Sequence, residues 1–345
     1  MTSPNPTRAR HAACPPLRPS TLPTIEGLPP GPLTSSELLA TVPDAAERRR
    51  YQRIWHGMYR RGDQPDDLRM RSAALARTWP EGVLRGRSAA LLWGDDSVPT
   101  DALPEIWLPS TRRSVPGRVY RYGALPPSAV TQIDGLRVTT ALRTCRDLAG
   151  DLEFGDAVVS VERLCAMVPE LPGQLAGASE HPAGRGARAF RAVVRAADPR
   201  SGSPDSTRAR LELAGAGCGV FRHGHTVRLG HAMVELPLAD VAARCVVFTP
   251  GAGVATPARP AARYREHLRR AGWTVIVARG PAAVGGVGDT GPLGQVGPLG
   301  QVGPHAAAVL RTRWPATEVR SPLRADGATD PHGMWSGGGW RDPCW

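Results

Sequence analysis

Apolar residues recur at helical spacing most plainly between Phe154 and Val168, where Phe154, Ala157, Val158, Val161, Leu164, Cys165 and Val168 form one stripe. The spacing predicts an amphipathic helix, and the stripe reads as core rather than as a cofactor site. Upstream, Thr34-Ser-Ser-Glu-Leu-Leu can cap and start a helix, because Ser or Thr ahead of a Glu satisfies free N–H groups at a helix N-terminus. A helical pattern over residues 70–94 leads into Ser88-Ala-Ala-Leu-Leu-Trp-Gly94, which predicts a Ser88 N-cap and a stop at Gly94. Glu105–Pro109 and Arg118–Tyr122 are strand-like, and residues 133–149 give a turn, a strand and a capped helix.

Residues 169–186 are loose and rich in Pro and Gly, so they are expected to link two domains. Beyond them Phe190, Val193 and Val194 share one face of a basic helix, and Ser203 followed by Pro204 predicts the start of another. Strands are expected over His225–Leu229, Ala232–Leu238 and Arg244–Thr249. A basic helix from Arg263 then stops at Gly272, and Trp273 opens a buried strand. Residues 1–33 lack an apolar period and are expected to be a disordered arm. Residues 281–345 are expected to be a low-complexity tail, with Gly-Pro-Leu-Gly-Gln-Val repeated at 291–296 and 297–302. Gly286-Val-Gly-Asp-Thr-Gly291 matches a dinucleotide fingerprint only as letters, since Pro292 and Gly294 follow where a helix should start.

The run Arg53-Ile-Trp-His-Gly-Met-Tyr59 resembles the arginine-rich wing that follows a small helix-turn-helix in AbiEi-type antitoxins and their actinobacterial relatives. Ser88-Ala-Ala before Gly94, the Leu108-Pro109 strand, Gly135-Leu-Arg-Val-Thr139, Arg143-Thr144 and Asp147-Leu-Ala149 follow in the order of the same family. The resemblance spans about residues 50–170. It implies that Arg48, Arg49, Arg50, Arg53, Arg60 and Arg61 lie beside phosphates. The residues alone allow equally a solvated basic hairpin with Trp55 and Tyr59 in the core, and the helical part before it is short for a complete helix-turn-helix.

Residues 198–279 resemble very-short-patch-repair-like endonucleases, which have a restriction-endonuclease-like fold. The carrying features are Ser203-Pro204 at a helix start, the three strands, and Arg263-Tyr-Arg-Glu-His-Leu-Arg-Arg-Ala-Gly-Trp273. The family pattern places a Glu where Ser206 stands, and Asp205 is one residue early, ~100° around a helix. Of the strand carboxylates, Glu235 matches the first Asp, whereas Phe248 and Pro250 stand at the other two positions. Such sites gather carboxylates around Mg²⁺ to activate a water and neutralise a phosphate. The resemblance therefore implies a retained fold with a degenerate site, in which Glu235 and Asp205, with Asp240, could act or hold metal only if they regroup.

Length and charge change this picture little. The 345 residues suit two domains. All 43 cationic side chains are Arg, which excludes a Lys nucleophile and the phosphate loop ending in Gly-Lys-Ser/Thr. Coding bias and selection for phosphate contacts both account for that usage. The net charge is +12, and the five Arg of residues 281–345 are balanced by five acids, so the excess lies upstream. Such a body suits a polyanion partner, or is simply Arg-rich. None of the six Cys forms a Cys-x-x-Cys pair, and most are expected to be core. His223, His225 and His231 lack an acid or Cys at zinc spacing and are expected to be exposed loop residues. With neither a signal peptide nor a run of ~18 apolar residues, a cytoplasmic, non-membrane protein is expected.

The expectation is thus an α/β protein: a small basic α+β region over residues 34–168 with a partial winged helix, a linker, and a restriction-endonuclease-like mixed sheet flanked by helices over residues 187–280. Expected partners are DNA, through Arg48–Arg61 and Arg263, Arg265, Arg269 and Arg270, and a toxin protein; no cofactor is expected. The expected function is a non-catalytic antitoxin or defence-type regulator. The alternatives are a divergent Mg²⁺-dependent DNA endonuclease and a toxin-binding module.

Overall fold

The computed structural model describes residues 28–180, 184–229, 232–249, 258–278, 302–313 and 315–322. The chain divides into two compact units, the first running to Leu211 and the second from Glu212 through the described C-terminal residues. Both mix helices with sheets.

In the first unit, β1 (Leu33–Thr34) runs into α1 (Ser35–Thr41), and Thr34 is the N-cap of a complete capping box. Its side chain accepts from the Glu37 amide at 3.2 Å while the Glu37 carboxylate accepts from the Thr34 amide at 2.8 Å. The short α2 (Ala45–Arg48) follows, then the hairpin β2 (Tyr51–Trp55) and β3 (Met58–Arg61), turning at Gly57 with φ 81°. β1, β3 and β2 form one antiparallel sheet in that order. A small core of Leu33, Leu38, Val42 and Tyr51 joins this sheet to α1.

Next come α3 (Leu68–Thr78), β4 (Val83–Leu84), α4 (Gly86–Leu92), β5 (Glu105–Leu108), β6 (Val119–Tyr122), β7 (Val130–Ile133) and β8 (Leu136–Thr139). The last five strands named form a mixed sheet in the order β6-β5-β4-β8-β7. Asp134 and Gly135, both at positive φ, make the turn between β7 and β8. The N-cap of α4 is Arg85 and not Ser88 as expected. Ser88 is buried inside the helix, where its hydroxyl accepts from the Glu105 amide at 2.9 Å and meets the Ser72 hydroxyl at 2.7 Å.

A helical layer completes the unit: α5 (Ala141–Asp151), α6 (Phe154–Met167), α7 (Leu171–Glu180) and α8 (Ala187–Ala196). The stripe from Ala157 to Cys165 is its centre, with Leu148, Leu171, Phe190 and Val193 packed around it. The segment expected to be a linker therefore carries a helix. Leu171 and Leu175 are buried there, and Pro172 sits in the first turn, where it leaves no missing bond. The first compact unit ends at Leu211, inside α9 (Pro204–Gly215). Within the first unit, Glu162 of α6 is buried and accepts from the Asp198 amide at 2.7 Å, the Arg210 guanidinium at 2.6 Å and the Thr207 hydroxyl, which ties the start of α9 to α6.

The second unit holds the hairpin β9 (His225–Leu229) and β10 (Ala232–Leu236), then β11 (Ala239–Asp240), β12 (Cys245–Phe248), α10 (Ala258–Arg270), β13 (Thr274–Val277), α11 (Val302–Leu310) and β14 (Glu318–Arg320). β12 and β13 are parallel, joined across α10, with β11 and β14 antiparallel on the two edges. Gly272 closes α10 at φ 84° and Trp273 is buried beside it, as expected. The tail is not wholly low-complexity: Ala306, Ala307, Val309 and Leu310 of α11 are buried, and β14 covers the edge of β13.

Cys145 and Cys165 in the first unit, and Cys218 and Cys245 in the second, are free and buried. Burial raises the Cys218 thiol to about 11 and the Cys245 thiol to about 12. Among the described residues no helix is long and apolar enough to cross a membrane.

Candidate functional site

Two places carry the expected chemistry, the arginine-rich hairpin of the first unit and the strands of the second. In the hairpin, Tyr51 is anchored by its hydroxyl donating to the Pro29 carbonyl at 2.6 Å, and Trp55 donates to the Thr78 hydroxyl at 3.2 Å. The Arg118 guanidinium lies 4.1 Å from the Trp55 ring centroid. These contacts hold the ribbon against the unit, while the Arg53 side chain is exposed.

The six arginines singled out here separate into two groups. Arg61 is buried, 2.6 Å from the Asp63 carboxylate and donating to the Leu28 carbonyl at 2.5 Å. Arg60 donates to the Gln64 carbonyl and the Gln52 side chain, and Arg48 donates to the Val42 carbonyl at 2.8 Å and that of Pro43. These three guanidinium groups hold the backbone of the sheet and its entry. Arg49, Arg50 and Arg53 are exposed, and their guanidinium groups make no hydrogen bond or ion pair among the described residues. Residue type alone could not separate the groups, because the partners of the first are mostly backbone carbonyls.

In the second unit Glu235 lies on β10 opposite Thr226, exposed, and its backbone carbonyl accepts from the Tyr264 hydroxyl at 3.1 Å. Asp240 is buried and engaged: it accepts from the Val220 amide at 2.9 Å and the Ala243 amide at 3.0 Å. Asp205 belongs to the first unit, in the opening turn of α9, 3.8 Å from Arg208. Phe248, where the resemblance asks for a Glu, packs with Leu236, Val246, Leu268 and Val275 and meets the Tyr264 ring edge-on at 5.9 Å. A carboxylate there would be buried in an apolar cluster. Pro250 lies outside the described residues. Among the described residues no group of three His, Cys, Asp or Glu is placed to hold a metal.

The basic helix α10 is also largely engaged. Arg269 donates to the Ser321 carbonyl at 2.9 Å and pairs with Glu266 at 2.9 Å, and Arg265 lies over the Phe248 ring at 5.9 Å. Arg270 projects, 62% exposed, 3.7 Å from Glu266. The Arg263 side chain lies outside those described. His223, expected to be exposed, is buried with Nδ1 2.9 Å from the Pro237 carbonyl. His231, like the Gly286–Gly291 run, lies outside the described residues.

One cluster escaped sequence reasoning. Arg85 is buried among three carboxylates, Glu105 at 2.9 Å, Asp151 at 2.7 Å and Asp147 at 3.3 Å. Arg121 reaches Asp151 at 3.1 Å and Arg143 reaches Asp147 at 2.9 Å, so three cations balance three anions. The members come from the N-cap of α4 and from β5, β6 and α5; Arg143 and Asp147 are an i,i+4 pair, but the other elements are too far apart in sequence for a spacing rule to gather. Balanced in this way, the cluster reads as a structural network. No protein-family model matches the chain and no curated protein matches it, so both resemblances stand on the quoted motifs alone.

Proposed function

We propose that the chain is a nucleic-acid-associated protein of the antitoxin or defence-regulator type, whose nuclease-like second unit is non-catalytic. The observation that carries this reading is the arrangement of α1, α2 and the β2–β3 hairpin, with the side chains of Arg49, Arg50 and Arg53 exposed, close in sequence and without described side-chain partners. A helix pair followed by a basic ribbon can lay cations along phosphates, which positions a protein on a duplex. The packing of Phe248 beneath Tyr264 supports the non-catalytic part, because a hard cation gains nothing from an aromatic ring in an apolar cluster.

The test is binding of labelled duplex DNA by the full chain across a salt series, with Mg²⁺ and Mn²⁺ present so that cleavage is read in the same tubes. Binding should weaken steeply with salt, and Arg49→Ala/Arg50→Ala/Arg53→Ala should flatten the dependence by about 0.9 in log–log slope per lost phosphate contact. Salt-independent binding would count against the reading. Cleavage that disappears in Glu235→Ala would replace it with the divergent nuclease.

A further inference from the structure

A second basic surface lies on α8, which neither resemblance singles out. The helix turns Phe190 and Val193 into the core and carries Arg188, Arg191 and Arg195 at i, i+3 and i+7. At ~100° per residue these fall in one narrow stripe, with Cα atoms spread over about 10 Å along the axis. With Ala187 and Ala192 they line a hollow of 350 Å³. A second hollow of 150 Å³ adjoins it at Ala187 and adds Arg143, Arg146 and Arg185.

Asp147 is the acid in that lining, and it is buried against Arg85 and Arg143. Arg185, Arg188 and Arg195 are exposed, and their guanidinium groups make no hydrogen bond or ion pair among the described residues. Arg146 is exposed with its guanidinium 5.2 Å from the Phe190 ring centroid. Like charges three and four residues apart on a helix repel one another, and no described carboxylate relieves these.

We propose that this face of α8, with Arg146 of α5, seats the phosphate backbone of a duplex nucleic acid. The proposal rests on the reading that the partner is a nucleic acid. Duplex is favoured over single strand because, among the described residues, the aromatic ring lining the face, Phe190, is buried and not open for bases to stack upon. It is favoured over an acidic protein because, among the described residues, the accessible apolar ground of the face is Ala187 and Ala192, Phe190 being buried, without the large exposed anchors such interfaces use. Arg spacing along this hollow suits a ridge of phosphates.

The experiment uses the full chain and labelled duplex DNA of mixed sequence, with single-stranded DNA and poly-glutamate as rival probes. Arg185→Ala/Arg188→Ala/Arg195→Ala spares Arg191, whose guanidinium donates to the Ser179 and Glu180 carbonyls at 3.3 Å each. The log–log salt slope should become shallower by about 2 to 3. The triple Lys variant should restore it, and the melting temperature should not move. An unchanged slope in the Ala variant, while the hairpin variant weakens binding, would overturn this surface and leave the hairpin reading standing. Absence of duplex binding by the native chain would overturn both. Equal or tighter binding of poly-glutamate, lost in the same Ala variant, would assign the face to an acidic protein instead.

Discussion

A guanidinium with three carboxylate neighbours is held by geometry that no other side chain reproduces. Arg85 reaches Glu105, Asp147 and Asp151 in different directions, and Gly86 beside it has φ 50° with the Glu105 carboxylate where a Cβ would stand. Arg85→Ala leaves buried anions without their partner, and should lower unfolding free energy by about 3–5 kcal/mol in urea titrations. Burial pushes the Asp151 carboxyl up, but Arg85 and Arg121 pull it further down, so it sits below its ordinary value. Its stabilisation is therefore present above the unfolded value of about 3.9 and is lost as pH falls through the lower folded value. Asp151→Asn should accordingly lose less stability on acidification through that window than the native chain does. An identical acid limb in both proteins would sink this assignment.

At the scale of elements, legibility followed local chemistry. Thr34, Ser203 and Gly272 announce helix ends through their own hydrogen-bonding or backbone preferences, and the structure uses each of them so. What was not legible depended on distant contacts. β4 is two residues long and is defined by its neighbours β5 and β8, while α7 forms among glycines because Leu171 and Leu175 are buried. The candidate site divides likewise: the hairpin was legible as a basic ribbon, but the engagement of Arg48, Arg60 and Arg61 was not. β14 was missed because it lies in a Gly- and Pro-rich region, yet it covers Val275, Ile276 and Val277. Removing residues 302–345 should expose that strand edge and make the protein aggregate at concentrations where the full chain stays monodisperse in light scattering. Unaltered scattering and melting would show that β14 contributes nothing.

For the whole molecule, the +12 charge says less than its distribution over exposed and engaged groups. Much of the described arginine content engages carbonyls, carboxylates and rings, while Arg49, Arg50 and Arg53 at the hairpin and Arg188 and Arg195 on α8 are exposed. The four buried thiols have a different consequence. They are divided two and two between the units, and a thiol shielded by packing reacts with a disulfide reagent only when its surroundings open. Mass spectrometry of a timed reaction should give two modification clocks, one for Cys145 and Cys165 and one for Cys218 and Cys245, each reporting how often its half of the chain breathes. A single shared rate for all four would mean that the halves open as one, so the native cysteines are a ready-made record of how independently the two units live.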